Sequence, residues 1–166
     1  MITLNSDAAS TSLSKTTKAI LNEYGIKLNK NLGQNYLIDR NKRDQIIQFG
    51  NLTKDDVVLE IGPGIGTLTI ELAKRVKKVI AIEQDSNICQ ILENRLKKEN
   101  IDNVELINDD ALNVEFPKFD KIISNLPYQI SSPITFKFLN YDFQLAILMY
   151  QKEFASRMNG KVGSKD

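Results

Sequence analysis

Apolar runs rich in β-branched residues recur from residue 57 onward, and amphipathic stretches lie between most of them. The runs 57–61 and 78–83 are apolar at nearly every internal position, which is typical of parallel strands buried on both faces. Strands that alternate with helices predict an α/β fold with a largely parallel, doubly wound sheet. The predicted strands cover residues 57–61, 78–83, 104–108, 121–124 and 145–150. The predicted helices cover residues 16–24, 67–75, 86–98 and 133–140.

Length and composition limit the chain to one globular domain. It has 166 residues, of which 42% are apolar and 26% are charged, and its net charge is only +1. The longest apolar run, 145–150, is too short to span a membrane, and the opening residues lack the pattern of a secretory leader. We therefore expect a cytoplasmic protein without a membrane partner. Because the chain has no histidine and one cysteine, Cys89, we expect no metal site and no histidine-based triad.

A glycine-rich turn follows the first predicted strand. Gly62, Gly64 and Gly66 have the spacing G-x-G-x-G, and Thr67 stands where the dinucleotide fingerprint has its third glycine. Glycines at such a turn let the backbone approach a ligand closely. This spacing, together with the stiffening effect of Pro63, favours S-adenosylmethionine over a nicotinamide dinucleotide as the cofactor.

Acidic residues follow the next two predicted strands. Glu83 lies 21 residues after Gly62, where a carboxylate can accept hydrogen bonds from both hydroxyls of a cofactor ribose. Asp109 and Asp110 follow the third strand, directly before Ala111. One of these two acids would bind the amino group of the cofactor adenine while a backbone N–H meets a ring nitrogen. Adjacent acids leave the choice open, and we favour Asp110.

The fourth predicted strand leads into Asn125, Leu126, Pro127 and Tyr128. The exocyclic amine of adenine is a poor nucleophile because its lone pair is delocalised into the ring. The Asn125 side chain and a backbone carbonyl of the Leu126 and Pro127 turn would accept hydrogen bonds from the two N–H groups of this amine. These two bonds would aim the lone pair of the nitrogen at a methyl group. Tyr128 would stack on the extruded base, and catalysis would rest mainly on positioning. The segment therefore predicts methyl transfer to an adenine amine.

In this order the motifs resemble the ribosomal RNA adenine dimethyltransferase family, which includes the kasugamycin-sensitivity methyltransferase of bacteria and the dimethyladenosine transferases of archaea and eukaryotes. The resemblance is collinear and covers almost all of this chain. The resembling segments are LGQNYL at 32–37, EIGPGIGTLT at 60–69, IEQD at 82–85, DAL at 110–112, NLPYQISSPI at 125–134 and MYQKEFASRM at 149–158. In the first of these segments, residues 32–37, Tyr36 is a mild departure, since the corresponding family motif usually ends in Phe-Leu.

The resemblance implies a Rossmann-like class I methyltransferase that uses S-adenosylmethionine. The cofactor-binding residues would be Gln34, Asn35, Leu37, Gly62, Gly64, Glu83, Asp110, Ala111 and Asn125. The catalytic loop would consist of Asn125, Leu126, Pro127 and Tyr128. Within this set the first three residues would close over the cofactor, and the two glycines would face its methionine end. Tyr150 would join Tyr128 in sandwiching the target base.

The family reaction sets the expected substrate. Its members dimethylate N6 of two adjacent adenosines near the 3′ end of small-subunit rRNA, so the expected partner is this RNA or an immature small ribosomal subunit. A role in ribosome biogenesis would follow.

The resemblance also sets the expected domain organisation. We expect an N-terminal extension with a short helix at 1–26 and a catalytic core at 27–166. Family members continue with two more strands and a small helical domain, which we expect this chain to lack. The predicted strand 145–150 would then be an open edge, which predicts self-association or reduced stability.

Several other functions fit parts of this pattern. A large-subunit rRNA methyltransferase of the macrolide-resistance type shares the layout, although such enzymes more often have Ile at the position of Leu126. DNA adenine methyltransferases have a proline there. A noncatalytic ribosome-assembly or transcription factor could retain the fold, and a nicotinamide-dependent oxidoreductase would need a glycine in place of Thr67.

Overall fold

The computed structural model describes residues 13–25, 40–150 and 152–158. The longest helix in these ranges has 13 residues, and none of the helices there is long and apolar enough to cross a membrane. A short 3₁₀ helix covers Tyr128–Ile130. The other elements, in chain order, are α1 (Leu13–Glu23), α2 (Arg40–Phe49), β1 (Val57–Ile61), α3 (Thr69–Ala73), β2 (Lys78–Glu83), α4 (Ser86–Lys98), β3 (Val104–Asn108), β4 (Lys121–Asn125), α5 (Ser131–Phe138), β5 (Leu145–Met149) and α6 (Lys152–Met158).

The five strands form one parallel sheet in the order β3-β2-β1-β4-β5. After β3 the chain crosses to the other side of β1 to form β4, so the direction of winding reverses between β1 and β4. In doubly wound sheets a ligand binds in the crevice at the carboxyl ends of the strands beside such a reversal. The predicted doubly wound α/β fold is confirmed.

Apolar side chains cover both faces of the sheet. Val58 of β1 packs on one face in a cluster with Ile47 of α2 and Leu72 of α3. The next residue, Leu59, belongs to the opposite face, where it lies in a cluster with Phe138 of α5. Burial on both faces explains why the strands are apolar at almost every internal position.

Helix α1 is attached to this core. Leu21 is only 2% exposed and belongs to a buried cluster with Ile65, Ile88 and Ile91. The packing secures the helix against the turn after β1 and against α4. The division between an extension at 1–26 and a core at 27–166 stays a prediction.

Several predicted boundaries were wrong by a few residues. The helix predicted at 67–75 is α3, which begins later because residues 64–68 form consecutive turns around Gly66, whose φ is +86°. The helix predicted at 133–140 begins earlier, directly after the 3₁₀ turn. Strand β4 extends to Asn125, β5 ends one residue sooner than predicted, and α1 begins and ends sooner. No element was predicted for the segments that form α2 and α6.

A buried ion pair joins the amino ends of β1 and β4. Lys121 Nζ lies 2.9 Å from Asp56 Oδ2 and donates to the Asn51 carbonyl at 2.7 Å. The same Asp56 oxygen accepts a hydrogen bond from the Thr53 N–H at 2.6 Å. Both charged side chains are only 8% exposed. The pair therefore fixes the end of the sheet that lies opposite the predicted site.

Candidate active site

A cavity of about 310 Å³ lies at the carboxyl ends of the strands, where the topology places a ligand. Residues from the ends of β1, β2, β3 and β4 line it together. It therefore brings into one place residues that the sequence analysis assigned to separate motifs. The predicted site residues that line it are Gly62, Gly64, Glu83, Asp110, Ala111, Asn125 and Pro127.

The glycine turn forms the wall of the cavity after β1. Gly62 has φ of +67°, and a Cβ atom on it would lie 2.7 Å from Cγ of Pro127. Gly64 has φ of +56°, and its N–H donates a hydrogen bond to Glu83 Oε2 at 3.2 Å. A side chain at residue 62 would therefore push the turn away from the segment that follows β4.

Glu83 is held in one orientation by backbone groups. Besides the bond from Gly64, its Oε1 accepts a hydrogen bond from the Asp85 N–H at 3.0 Å. Burial raises the pKa of Glu83, and the two backbone N–H groups oppose this shift. The Asn108 amide, from the end of β3, donates to the carbonyls of Glu83 and Gln84 at 2.8 and 3.2 Å. Asn108 is a positioning residue that the sequence analysis missed.

Both acids after β3 line the cavity, and they differ in exposure. Asp110 is half-buried and accepts a hydrogen bond from the Leu112 N–H at 2.9 Å, whereas Asp109 is exposed. Lys137 of α5 donates to the carbonyls of Ala111 and Leu112 at 2.8 and 3.1 Å. This lysine, which was not predicted, anchors the loop to α5. The greater burial of Asp110 agrees with the preference for it, but its role stays a prediction.

The segment after β4 lies beside the glycine turn. The Ser124 hydroxyl donates to the Ile61 carbonyl at 2.7 Å and so ties the end of β4 to the end of β1. Asn125 is half-buried and lines the cavity. The Leu126 side chain is fully buried in the core, so only the backbone of this residue can serve a ligand. Tyr128 begins the 3₁₀ turn and does not line the cavity.

Tyr150 is linked to the 125–128 segment through hydroxyl groups. Its hydroxyl lies 2.7 Å from Thr135 Oγ1, which donates to the Ser131 carbonyl at 2.6 Å. The Tyr150 hydroxyl is therefore the donor to Thr135. The Ser131 hydroxyl in turn donates to the Pro127 carbonyl at 3.2 Å. The chain of contacts fixes Tyr150 relative to the 125–128 segment, although Tyr150 does not line the cavity.

Gln34, Asn35 and Leu37, which were predicted to close over the cofactor, lie outside the described residues. The described residues therefore form the part of the site at the carboxyl ends of the strands. The roles of these three residues stay predictions.

The cavity is lined by carboxyl groups and, among the described residues, by no lysine or arginine. Glu60, which the sequence analysis did not select, is one of the acids. It is 2% exposed, and its Oε2 has no hydrogen-bond partner within the described ranges. The sequence feature that could have revealed Glu60 is an acidic residue inside the otherwise apolar run VVLEI at 57–61. The acidic lining residues are Glu60, Glu83, Asp85, Asp109 and Asp110.

Known proteins are similar to this chain in sequence and in fold. The family described as ribosomal RNA adenine dimethylase matches residues 25–166. A protein of Methanosphaera stadtmanae named "probable ribosomal RNA small subunit methyltransferase A" is 59% identical over 87% of this chain and 54% of its own length. Its namesake from Methanothermobacter thermautotrophicus is 55% identical over 90% of this chain and 54% of its own length. The chain thus spans about half the length of these curated relatives.

Two solved structures are also similar. A dimethyladenosine transferase from Plasmodium falciparum has a TM-score of 0.70 at 42% identity, over 76% of this chain and 46% of its own. The 23S rRNA methyltransferase ErmE has a TM-score of 0.66 at 35% identity, over 73% of this chain and 50% of its own. Because the family match covers residues 25–166 of this chain, the chain belongs to the ribosomal RNA adenine dimethylase family.

Proposed function

We propose that the protein transfers methyl groups from S-adenosylmethionine to N6 of adenosine in ribosomal RNA. The substrate would be two adjacent adenosines near the 3′ end of small-subunit rRNA, each methylated twice during ribosome biogenesis in the cytoplasm. One observation carries the proposal: an acid-lined cavity holds the glycine turn, Glu83 and Asp110 within the same space as Asn125. The names of the two archaeal relatives support the small-subunit substrate.

The residues of the cavity fit this cofactor. S-adenosylmethionine supplies a methyl group on a positively charged sulfur, and its amino-acid end carries a second cation. An acidic lining in which the described residues include no lysine or arginine suits such a ligand and opposes the pyrophosphate of a dinucleotide. In the proposed arrangement Glu83 holds the ribose, while Asp110 and Ala111 hold the adenine. Gly62 and Gly64 face the amino-acid end, with Gln34, Asn35 and Leu37 closing over it.

Asn125 and the Leu126 backbone would orient the target amine. The Pro127 carbonyl already accepts hydrogen bonds from the Ile130 N–H and the Ser131 hydroxyl, both at 3.2 Å. The Leu126 carbonyl is therefore the better second acceptor beside the Asn125 side chain. Two acceptors would direct the nitrogen lone pair away from the ring and toward the methyl group. As the nitrogen–carbon bond forms, the bond between the methyl carbon and sulfur would break, with its electron pair kept by sulfur, and the target nitrogen would release its extra proton to water.

The proposal also assigns roles to two tyrosines that do not line the cavity. Tyr128 would stack on the target base as the 3₁₀ turn presents it. Tyr150 would support the other face of the base, since its hydroxyl is anchored to Thr135.

Methylation of large-subunit rRNA is the second candidate, because ErmE shares the fold at 35% identity. Leu126 favours the small-subunit substrate, since macrolide-resistance enzymes more often have Ile at this position. A noncatalytic assembly factor is a third reading of the same fold. The three functions predict different products from the same RNA assay.

The decisive assay incubates the protein with labelled S-adenosylmethionine and either undermethylated small subunits or large-subunit RNA, and then maps the methylated bases. We expect dimethyladenosine in small-subunit RNA. The Asn125→Ala variant should lose at least about 100-fold in transfer rate, because an acceptor that positions the amine is gone. Its affinity for the cofactor should change only a few-fold. Undiminished turnover by this variant would show that Asn125 does not activate the amine.

The open edge of β5 is part of the proposal. Leu145–Met149 pairs with β4 on one side and with no other strand among the described residues. An apolar edge strand offers unpaired backbone groups to another strand. We expect two copies of the chain to associate through β5, so sedimentation should show a concentration-dependent dimer that Ile147→Lys weakens. A strictly monomeric chain at high concentration would contradict this expectation.

A further inference from the structure

Lys137 of α5 donates hydrogen bonds to three backbone carbonyls of one turn. The acceptors are the carbonyls of Ala111 and Leu112, at 2.8 and 3.1 Å from Nζ, and that of Val114. An ammonium group has three N–H donors and no acceptor, so these three bonds use its whole capacity. The same Nζ lies 4.4 Å from the centre of the Phe116 ring, which attracts the cation further. These contacts assign the ammonium to the protein itself rather than to a phosphate of an RNA substrate.

The turn that Lys137 holds begins at Asp110. The Asn113 and Val114 N–H groups donate to the Asp110 carbonyl at 2.9 and 3.1 Å. The Asp110 carboxylate accepts a hydrogen bond from the Leu112 N–H at 2.9 Å and one from the Asn113 side-chain amide at 3.4 Å. The turn therefore orients the carboxylate that the proposed function assigns to the cofactor adenine.

Lys137 acts on the cavity only through this turn. Asp110 and Ala111 line the cavity, whereas Lys137 is not among the lining residues. Burial lowers the pKa of Lys137, and the charges of Asp110 and Glu115 oppose this shift. The ammonium thus lies close enough to the Asp110 carboxylate to feel its charge, while all of its hydrogen bonds go to the backbone of the turn. Loss of this shared donor would loosen the turn and the orientation of Asp110.

We propose that Lys137 is a positioning residue that holds the Asp110 turn against the adenine of the methyl donor and so sets the selectivity for the adenine amino group. The inference rests on the proposed function, which places the adenine at Asp110 and Ala111. Adenine offers an amino donor to a carboxylate and an unprotonated N1 to a backbone N–H. Hypoxanthine has a carbonyl oxygen and an N1–H in these two places. A turn held by Lys137 accepts the first base and rejects the second, and a displaced turn discriminates less.

Displacement titrations with S-adenosylhomocysteine and S-inosylhomocysteine test this assignment, because the two ligands differ only at this edge of the base. The wild type should bind S-adenosylhomocysteine at least about 100-fold more tightly, since a site built to bond a polar group rejects an analogue that lacks it. The Lys137→Met variant should lower this ratio on the order of 10-fold, because the turn loses a charged donor. An unfolded fraction weakens both ligands equally, so the ratio does not respond to stability alone.

Two further variants serve as controls. Lys137→Arg keeps the charge, but its planar guanidinium spreads the donors over three nitrogens, so this variant should fold and give a ratio between those of the wild type and Lys137→Met. Lys54→Met is the matched control. Lys54 Nζ also donates to a backbone carbonyl, that of Lys74 at 2.6 Å, but Lys54 is not among the residues that line the cavity. Its removal should leave the ratio unchanged.

The titrations also separate the competing explanations. A wild-type ratio in both Lys137 variants would overturn the proposal even where their stability falls. If Lys137→Met does not fold, a wild-type ratio in Lys137→Arg alone would overturn it. Weaker binding of ribosomal RNA with an unchanged ratio would assign Lys137 to the RNA and would also overturn it. These results leave the proposed function intact, whereas a wild type that binds neither ligand would overturn the proposed function and this inference together.

Discussion

Two buried acids at opposite ends of β1 have opposite surroundings. Asp56, directly before the strand, accepts hydrogen bonds from the Thr53 N–H and from Lys121. Burial acts to raise its pKa, but these two partners hold the pKa of Asp56 below its usual value. Glu60, four residues later, is also buried, but its Oε2 has no hydrogen-bond partner among the described residues, and burial raises its pKa to about 8.

The difference separates a structural end of the sheet from a ligand-binding end. At the amino end the polar groups satisfy one another, and the buried charge is stabilised by the chain itself. At the carboxyl end Glu60 Oε2 is buried without a hydrogen-bond partner among the described residues, which costs stability. Functional sites in folded proteins commonly concentrate such unsatisfied groups.

The largest expected effect comes from removing the buried ion pair between Asp56 and Lys121. The Lys121→Met variant keeps most of the side-chain length but leaves the buried Asp56 carboxylate without its ammonium partner. Urea denaturation should show a loss of about 3 to 5 kcal/mol in the free energy of unfolding.

Lys78→Met is the matched control, because Lys78 also begins a strand and forms an ion pair with Glu105. Its side chain is 43% exposed, so its removal should cost less than about 1 kcal/mol. Equal losses in the two variants would show that burial of the Asp56 pair contributes nothing.

A smaller change in the free energy of unfolding is expected from the titration of Glu60 at the carboxyl end of β1. The pKa of Glu60 is about 8 in the fold and 4.5 as its ordinary value, so the folded state holds the proton more tightly. Its contribution to stability is therefore fully present below pH 4.5 and is lost as pH rises toward 8. Between pH 5 and 8 the free energy of unfolding should fall by on the order of 3 kcal/mol more in the wild type than in Glu60→Gln.

Other groups set the background of that pH profile. Burial also raises the pKa of Glu83, so the Glu60→Gln variant should keep part of the decline. The lowered pKa of Asp56 acts on the acid side, where its stabilisation is lost as pH falls below its ordinary value of 3.8. Parallel profiles of the wild type and Glu60→Gln between pH 5 and 8 would contradict the assignment of a raised pKa to Glu60.

The strands were predictable because each is a short apolar run between turns, and β1, β2 and β3 have the predicted limits. Helix α2 was not, since its sequence RNKRDQIIQF is polar apart from a few positions. Only Ile46 and Ile47 of this helix are buried. Its place in the fold depends on contacts of these two side chains with the sheet, which no local pattern reveals.

The candidate site was predictable where a motif follows a strand. The topology alone brings the ends of β1, β2, β3 and β4 together, so Gly62, Glu83 and Asn125 line one cavity. The pairing of Asp56 with Lys121, 65 residues away, was not predictable, because it depends on the register of two strands. That Glu60 Oε2 finds no hydrogen-bond partner within the described ranges is likewise a property of the packed structure.

The central claim is that the acid-lined cavity holds a methyl donor and excludes a dinucleotide. Calorimetry of the chain with S-adenosylmethionine and, separately, with NAD measures this most directly. The account predicts saturable binding of one S-adenosylmethionine per chain and no detectable binding of NAD. Binding of NAD without binding of S-adenosylmethionine would contradict it.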